Sequence, residues 1–395
     1  MGLYAIEIKE YPSPNMKYIK QLDSLRAIAV LLVITSHWIH NVEVIDRTKI
    51  GEVGVNVFFV LSGFLITKIL LDNTLKSKTS NISKLSILKN FYFRRTLRIF
   101  PIYYLTIVLL FIFSKTSGTD IKTSFLYFAT YTSNFYLFKI QAWDGMISHL
   151  WSLAVEEQFY FIWPWVILFA NKKYILPIII GFILIGVIGQ YLTQEINMSS
   201  LLTFNCFDAF GIGALLSWQI TFANENLNRF YRITSILLAV SIFFYVCGIL
   251  QKQWVFIPLR TCISVITLWI ITHIILFRET NKLHFKLILN NRILIFLGKI
   301  SYGLYLYHNI IPSALNAKII NKYINPLLPL VLNTKYLPTV LFVENAIMLL
   351  IIAWFSYILI EKPFLNLKKN FKYREKDKKI KQSLVVSEIK QIMSN

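Results

Sequence analysis

The feature that most constrains this chain is the recurrence of apolar runs about as long as a bilayer is thick, from residue 22 to residue 360. A helix needs roughly 20 mainly apolar residues to cross a hydrocarbon layer of ~30 Å. Only 15% of the residues are charged, where a soluble domain carries about 25%, and mean hydropathy is +0.56. The expectation is an all-α protein, a polytopic transmembrane helix bundle. A net charge of +21 would suggest nucleic acid in a soluble protein. Here Lys and Arg gather between the apolar runs, as in cytoplasmic loops. Cys206, Cys247 and Cys262 lie inside apolar runs and suggest no disulfide framework. The first apolar run is too long for a signal peptide and has no small-residue cleavage site.

Eleven candidate spans can be drawn, at roughly 22–41, 51–71, 99–114, 121–138, 150–170, 174–192, 199–221, 232–250, 255–277, 293–316 and 337–360. An odd number would put the two termini on opposite sides. The lysine-dense tail after Lys362, with Lys17 and Lys20 before the first span, argues that both ends are cytoplasmic. Segment 121–138 is interrupted by Thr130, Thr132, Ser133 and Asn134, so it is expected to re-enter or lie at the outer interface. That leaves about ten spans with one extra re-entrant or interfacial segment. The expected division is a cytoplasmic segment 1–21, a transmembrane unit 22–363 and a basic cytoplasmic tail 364–395.

The first span carries Asp23, Arg26 and His37. Asp or Arg at mid-membrane costs roughly 2.5–3.5 kcal/mol on insertion scales, so such a helix usually faces a polar cavity. Arg26 and His37 are separated by ~16 Å of helix rise and about three turns, which puts them on nearly one face. The pattern suggests a cation at the mouth of a tunnel and an acid/base group in its depth. In the second span Asn56 and Ser62 are candidates to line a cavity. Arg95 and Arg98 are neighbours on a helix, suited either to bidentate phosphate binding or to anchoring on anionic lipid. Glu156 and Glu157 point ~100° apart, so one is expected to face the His37 cavity. Glu156 there would either orient the imidazole or form a structural bridge. Ser301, Tyr305 and His308 share nearby faces of one helix, and His308 reads either as a hydrogen-bonding core residue or as a catalytic one. His149, His273 and His284 read as loop or rim residues, and Asp208 and Glu344 as further intramembrane acids. No metal site is expected: His37 and His40 have no third ligand nearby in sequence.

Leu22 to Ala29, the Arg26 and His37 pair, Gly54 to Leu65, the Arg95-Thr96-Leu97-Arg98 box, Trp151 to Tyr160 and Ile300 to His308 follow one another along the chain. Together they resemble the integral-membrane acyltransferase 3 family, bacterial O-acyltransferases of surface glycans and related acceptors. The resemblance implies a multi-pass protein of the bacterial cytoplasmic (inner) membrane. It would move an acyl group, most often acetyl, from cytoplasmic acyl-CoA to a hydroxyl on the far side. It implies His37 as the catalytic residue with Arg26 as its partner across the tunnel, and Arg95 and Arg98 as donor contacts; in the full reading His37 is the general base, Glu156 orients it, and Asp23 and Ser62 join the donor-binding set. Ser24 stands where glycine is commoner, and Asn205 and Cys206 precede Asp208 where an arginine is expected nearby. Some members continue into a soluble esterase-like domain; this chain is expected to act alone or with a separate partner. The outer loop 317–336 is a candidate acceptor contact. An alternative use of the same cavity is transport, proton-coupled or of a lipid-linked sugar, with His37 and Glu156 as a proton relay. The absence of a visible internal repeat weighs against it.

Overall fold

The computed structural model describes residues 18–39, 42–80, 82–117, 119–250, 256–280, 284–314 and 337–367. The N-terminal segment up to residue 17, the loop 317–336 and the tail beyond residue 367 lie outside the described residues. Within them the chain is helical, with no strand. The elements are α1 (Lys20–Trp38), α2 (Glu43–Thr48), α3 (Ile50–Ser80), α4 (Lys84–Ile112), α5 (Ser114–Ser117), α6 (Ile121–Ala129) and α7 (Ser133–Ile140). A 3-10 turn, Gly145–Leu150, leads into α8 (Trp151–Phe169), followed by α9 (Lys172–Leu192), α10 (Phe207–Phe222), α11 (Leu227–Leu250) and α12 (Leu259–Phe277). Then come α13 (Lys286–Leu289), α14 (Arg292–Lys299), α15 (Ser301–Tyr307), α16 (Leu337–Ser356), a π turn over Tyr357–Glu361 and α17 (Lys362–Leu367).

Among the described residues, six helical stretches are long and apolar enough to cross a membrane: Glu43–Ser77, Lys84–Ile112, Lys172–Leu192, Asn224–Leu250, Leu259–Phe277 and Thr339–Leu367. They correspond to six of the ten expected spans. The remaining four differ for physical reasons. Helices α1 and α8 are long enough at 19 residues each, but their charged and polar residues dilute them. Helix α10 has 16 residues, about 24 Å of rise, because 3-10 turns occupy the start of that segment. The run at 293–316 is broken at Ile300 into α14 and α15. Segment 121–138 forms α6 and α7 with a break at Thr130–Thr132. At 9 and 8 residues neither half has the ~30 Å reach of a span. Tyr131 at the break takes a left-handed φ of 52°, and Gln158 of α8 donates to its carbonyl at 2.7 Å.

Helix α3 is the central pillar, packed on α1, α8, α10 and α12. Two of its glycines make this possible. A Cβ at Gly54 would lie 2.4 Å from the Ala29 carbonyl oxygen of α1, and one at Gly63 would lie 2.0 Å from that of Phe210 in α10. At the periphery, α9 (Leu184, Ile188) and α11 (Ile236, Phe243) present exposed apolar side chains, the surface that hydrocarbon covers in a multi-pass membrane protein. Charged and polar side chains from α1, α3, α4, α8 and α15 meet around one cavity.

Candidate active site

Between these five helices lies a chamber of about 90 Å³, lined by Arg26, Ser62, Arg95, Arg98, Glu156, Glu157, Tyr160, Ser152, Tyr302 and Tyr305 among others. A buried water needs roughly 10–15 Å³ on the same measure, so the space holds about half a dozen water-sized groups. Its narrow bore suits a slender chain.

Each charged group has a local cause for its position. Arg26 is held by Asp23, Nη1 to Oδ1 at 2.9 Å, one helical turn back, and the Tyr18 hydroxyl also donates to Asp23. Asp23 therefore braces Arg26 and does not itself line the chamber. Arg95 and Arg98, three apart on α4, face inward together. The Arg95 guanidinium lies 4.9 Å from the centre of the Tyr160 ring and 5.9 Å from that of Phe91, a cation–π clamp that fixes its plane. The Ser62 hydroxyl donates to Glu156 Oε1 at 2.5 Å and lies 2.8 Å from the Tyr160 hydroxyl. Both Glu156 and Glu157 line the chamber, where the 100° rule predicts one. The chamber meets the α8 face of Ser152, Leu153, Glu156, Glu157 and Tyr160, and a second cavity of about 380 Å³ that reaches Tyr131 adjoins it through Glu157, Arg95 and Tyr160.

His37 does not line this chamber. It sits near the C-terminal end of α1, with Nδ1 2.8 Å from His308 Nε2 and the two rings stacked at 4.9 Å. His149 completes a cluster, its ring edge-on to His308 at 4.6 Å. Sequence reasoning took His149 for a rim residue, yet it is 2% exposed and His308 is 0% exposed. His273 is likewise buried, bonded to the Tyr231 hydroxyl at 2.9 Å. What buries His149 is the end of α15. A helix leaves its last carbonyls without helical partners, and here side-chain N–H groups take them. His149 Nε2 reaches Leu306 O at 3.1 Å, His308 Nδ1 reaches Tyr305 O at 2.6 Å, and Trp38 Nε1 reaches His308 O at 2.8 Å.

Tyr305 joins chamber and cluster. Its ring lines the chamber and lies 5.4 Å from His308 and 5.7 Å from His149. Its hydroxyl bonds Ser152, another lining residue, and the His149 carbonyl at 3.1 Å. Arg26 and His37 are thus separated by a partition of Tyr305 and Ser152, with Phe58 edge-on to Tyr305 at 6.0 Å. The orienting role given to Glu156 meets a different geometry: its hydrogen bond goes to Ser62, and the ring at His37 Nδ1 is that of His308.

Asp208 accepts from Thr261 at 2.6 Å. The arginine missing from its own segment comes from α12: Arg260 donates to the Asn205 carbonyl at 3.2 Å and to Cys206 Sγ at 2.9 Å. Among the described residues no cluster of His, Cys, Asp and Glu is arranged to hold a metal ion.

A family model described as an acyltransferase domain matches residues 19–361. The peptidoglycan O-acetyltransferase OatA of Listeria monocytogenes is 36% identical over 192 residues, 42% of this chain and 28% of that protein. A Bacillus subtilis protein provisionally named a peptidoglycan O-acetyltransferase is 37% identical over 165 residues, 39% of this chain and 24% of its own length. A Staphylococcus aureus protein provisionally named an O-acetyltransferase is 28% identical over 393 residues, 89% of this chain and 58% of that protein. The chain therefore spans 58% or less of each of these relatives. No solved structure matches it.

Proposed function

As a member of the acyltransferase family whose model covers residues 19–361, this chain is an acyl-transferring membrane enzyme, and we propose that its reaction is O-acetylation of an envelope glycan. The donor in this reading is acetyl-CoA on the cytoplasmic side, and the acceptor is a glycan hydroxyl arriving from outside. The transmembrane unit is 22–363, crossing the inner membrane ten times with both termini inside. The glycan class is suggested by the names of the relatives, peptidoglycan among them.

One observation carries the reading. Three guanidiniums, of Arg26, Arg95 and Arg98, converge on a narrow chamber whose far wall, Tyr305 and Ser152, touches a buried histidine cluster. Guanidinium pairs suit phosphate oxygens. The donor's phosphates rest against Arg95 and Arg98, and the pantetheine arm passes Arg26 and fills the slender chamber. Its thioester lies at the Tyr305 end. His37 removes the proton from the acceptor hydroxyl, whose oxygen attacks the thioester carbonyl carbon. The C–O bond forms, the C–S bond breaks, and the thiolate leaves with the proton returned by His37. Glu156, held by Ser62, balances the arginines along the passage.

The test is His37→Ala in the full chain. Transfer of labelled acetyl from acetyl-CoA should fall to background while the protein elutes and melts as the wild type does. Turnover at the wild-type rate would refute His37 as the base. A transporter would release no thiol from acetyl-CoA, which separates the alternative.

A further inference from the structure

We propose that His308 is a positioning residue for His37, setting its tautomer and holding its proton during transfer. The proposal rests on His37 being the base. It starts from the carbonyl at the end of α15. His308 Nδ1 lies 2.6 Å from Tyr305 O. A carbonyl only accepts, so Nδ1 carries a hydrogen. In neutral His308 the lone pair is then on Nε2, 2.8 Å from His37 Nδ1. His37 must donate there, so its Nδ1 is protonated and its own lone pair stands on Nε2. A base nitrogen is commonly aimed by a hydrogen bond at the opposite nitrogen. Here the aiming group is a second imidazole.

An imidazole in that place does something a carbonyl cannot. When His37 Nε2 takes the acceptor proton, the Nδ1 proton of His37 can move to His308 Nε2. His308 then carries two protons, one still on Tyr305 O, and His37 is neutral with its proton on Nε2. The reverse shift restores His37 as an acid when the thiolate leaves. One proton enters and one leaves, with no further reactant. The titratable groups that face His308 are His37 from α1, His149 from the turn before α8 and Tyr305 on its own helix. His149 donates Nε2–H to Leu306 O. Its Nδ1 therefore carries a lone pair, and that atom is buried with no hydrogen-bond partner. A neutral His149 ring walls His308 in without adding charge.

The experiment compares wild type, His37→Ala, His308→Ala and His308→Gln, each as the full chain in inverted membrane vesicles given labelled acetyl-CoA. Incorporation into base-labile ester is read against acetyl-CoA concentration and pH. His308→Ala should lose about 10²–10⁴-fold in kcat, the scale of a misset tautomer, with KM for acetyl-CoA unchanged. In His308→Gln the amide oxygen can accept from His37 Nδ1–H. It should recover at least tenfold over His308→Ala, and the acid limb of its rate profile should move to lower pH because the second proton site is gone. Wild-type kcat in His308→Ala overturns the proposal. So does equal loss in both His308 variants with the acid limb of His308→Gln unmoved, which marks packing alone. An active His37→Ala overturns the base reading instead, a separate result.

Discussion

Replacing Arg95 by lysine isolates what the guanidinium does in the chamber. The charge is kept, so Glu156 and Glu157 still face a cation. What is lost is the planar fork and the clamp between Tyr160 at 4.9 Å and Phe91 at 5.9 Å. A cation–π contact contributes about 0.5–2 kcal/mol, and a lysine cannot present two parallel donors to one phosphate. Taking about 1–2 kcal/mol as the net loss, Kd for acetyl-CoA should rise about 5- to 30-fold. Calorimetric titration of the full chain in nanodiscs reads this directly. S-acetyl-pantetheine, which lacks the nucleotide phosphates, should bind Arg95→Lys and wild type alike. Wild-type affinity of Arg95→Lys for acetyl-CoA would refute phosphate recognition by Arg95. An equal loss for acetyl-pantetheine would place Arg95 against the arm and not the phosphates.

Two further outcomes follow from packing. Ser62→Ala removes the donor to Glu156 Oε1. Tyr160 also bonds Glu156, so the loss is that of one hydrogen bond to a charged group, about 1.5–3 kcal/mol at most; the melting temperature in detergent should fall while Ser62→Thr keeps it. Gly63→Ala puts a Cβ 2.0 Å from the Phe210 carbonyl oxygen. Backbone cannot yield as a side chain does, so α3 and α10 must part, and the monodisperse yield on size-exclusion chromatography should drop severely.

The sequence carries the peripheral helices openly, because a bilayer leaves the backbone few other choices. Runs such as 174–192 and 232–250 need no tertiary partner to be read. Arg26, Arg95 and Glu156 are legible for the complementary reason: a charge in an apolar run must be sheltered. His149 is not legible, since its burial depends on carbonyls at the end of α15, more than 150 residues away. The break at Ile300 is marked only by Gly298, Lys299 and Ser301 inside an apolar run, and Arg260 reaches Cys206 across 54 positions. Neither leaves a periodic mark. That Glu157 joins Glu156 in the chamber depends on how wide a face of α8 the neighbouring helices leave open, which one helix's periodicity cannot report.

The helices that fail as simple spans are largely the ones that build the site, and one constraint accounts for both facts. Asp23, Arg26, Arg95 and Arg98 facing hydrocarbon would together cost about 10–14 kcal/mol on insertion scales, comparable with the whole stability of an ordinary domain, about 5–15 kcal/mol. Such a chain folds only if these groups face one another. Helices α1, α8 and α15, too polar or too short to stand in lipid, must then take the centre, while α9, α11 and α16 take the rim. Once gathered, Arg26 is paired with Asp23, and Arg95 and Arg98 share the chamber with Glu156 and Glu157, so the arrangement that relieves the folding cost also builds a charged passage through the bundle. Tyr305 stands between the histidine cluster and the guanidiniums, and the α15 carbonyls hold His149 and His308 in place. That separation leaves the His37–His308 pair one side chain, Tyr305, away from the arginine-lined passage.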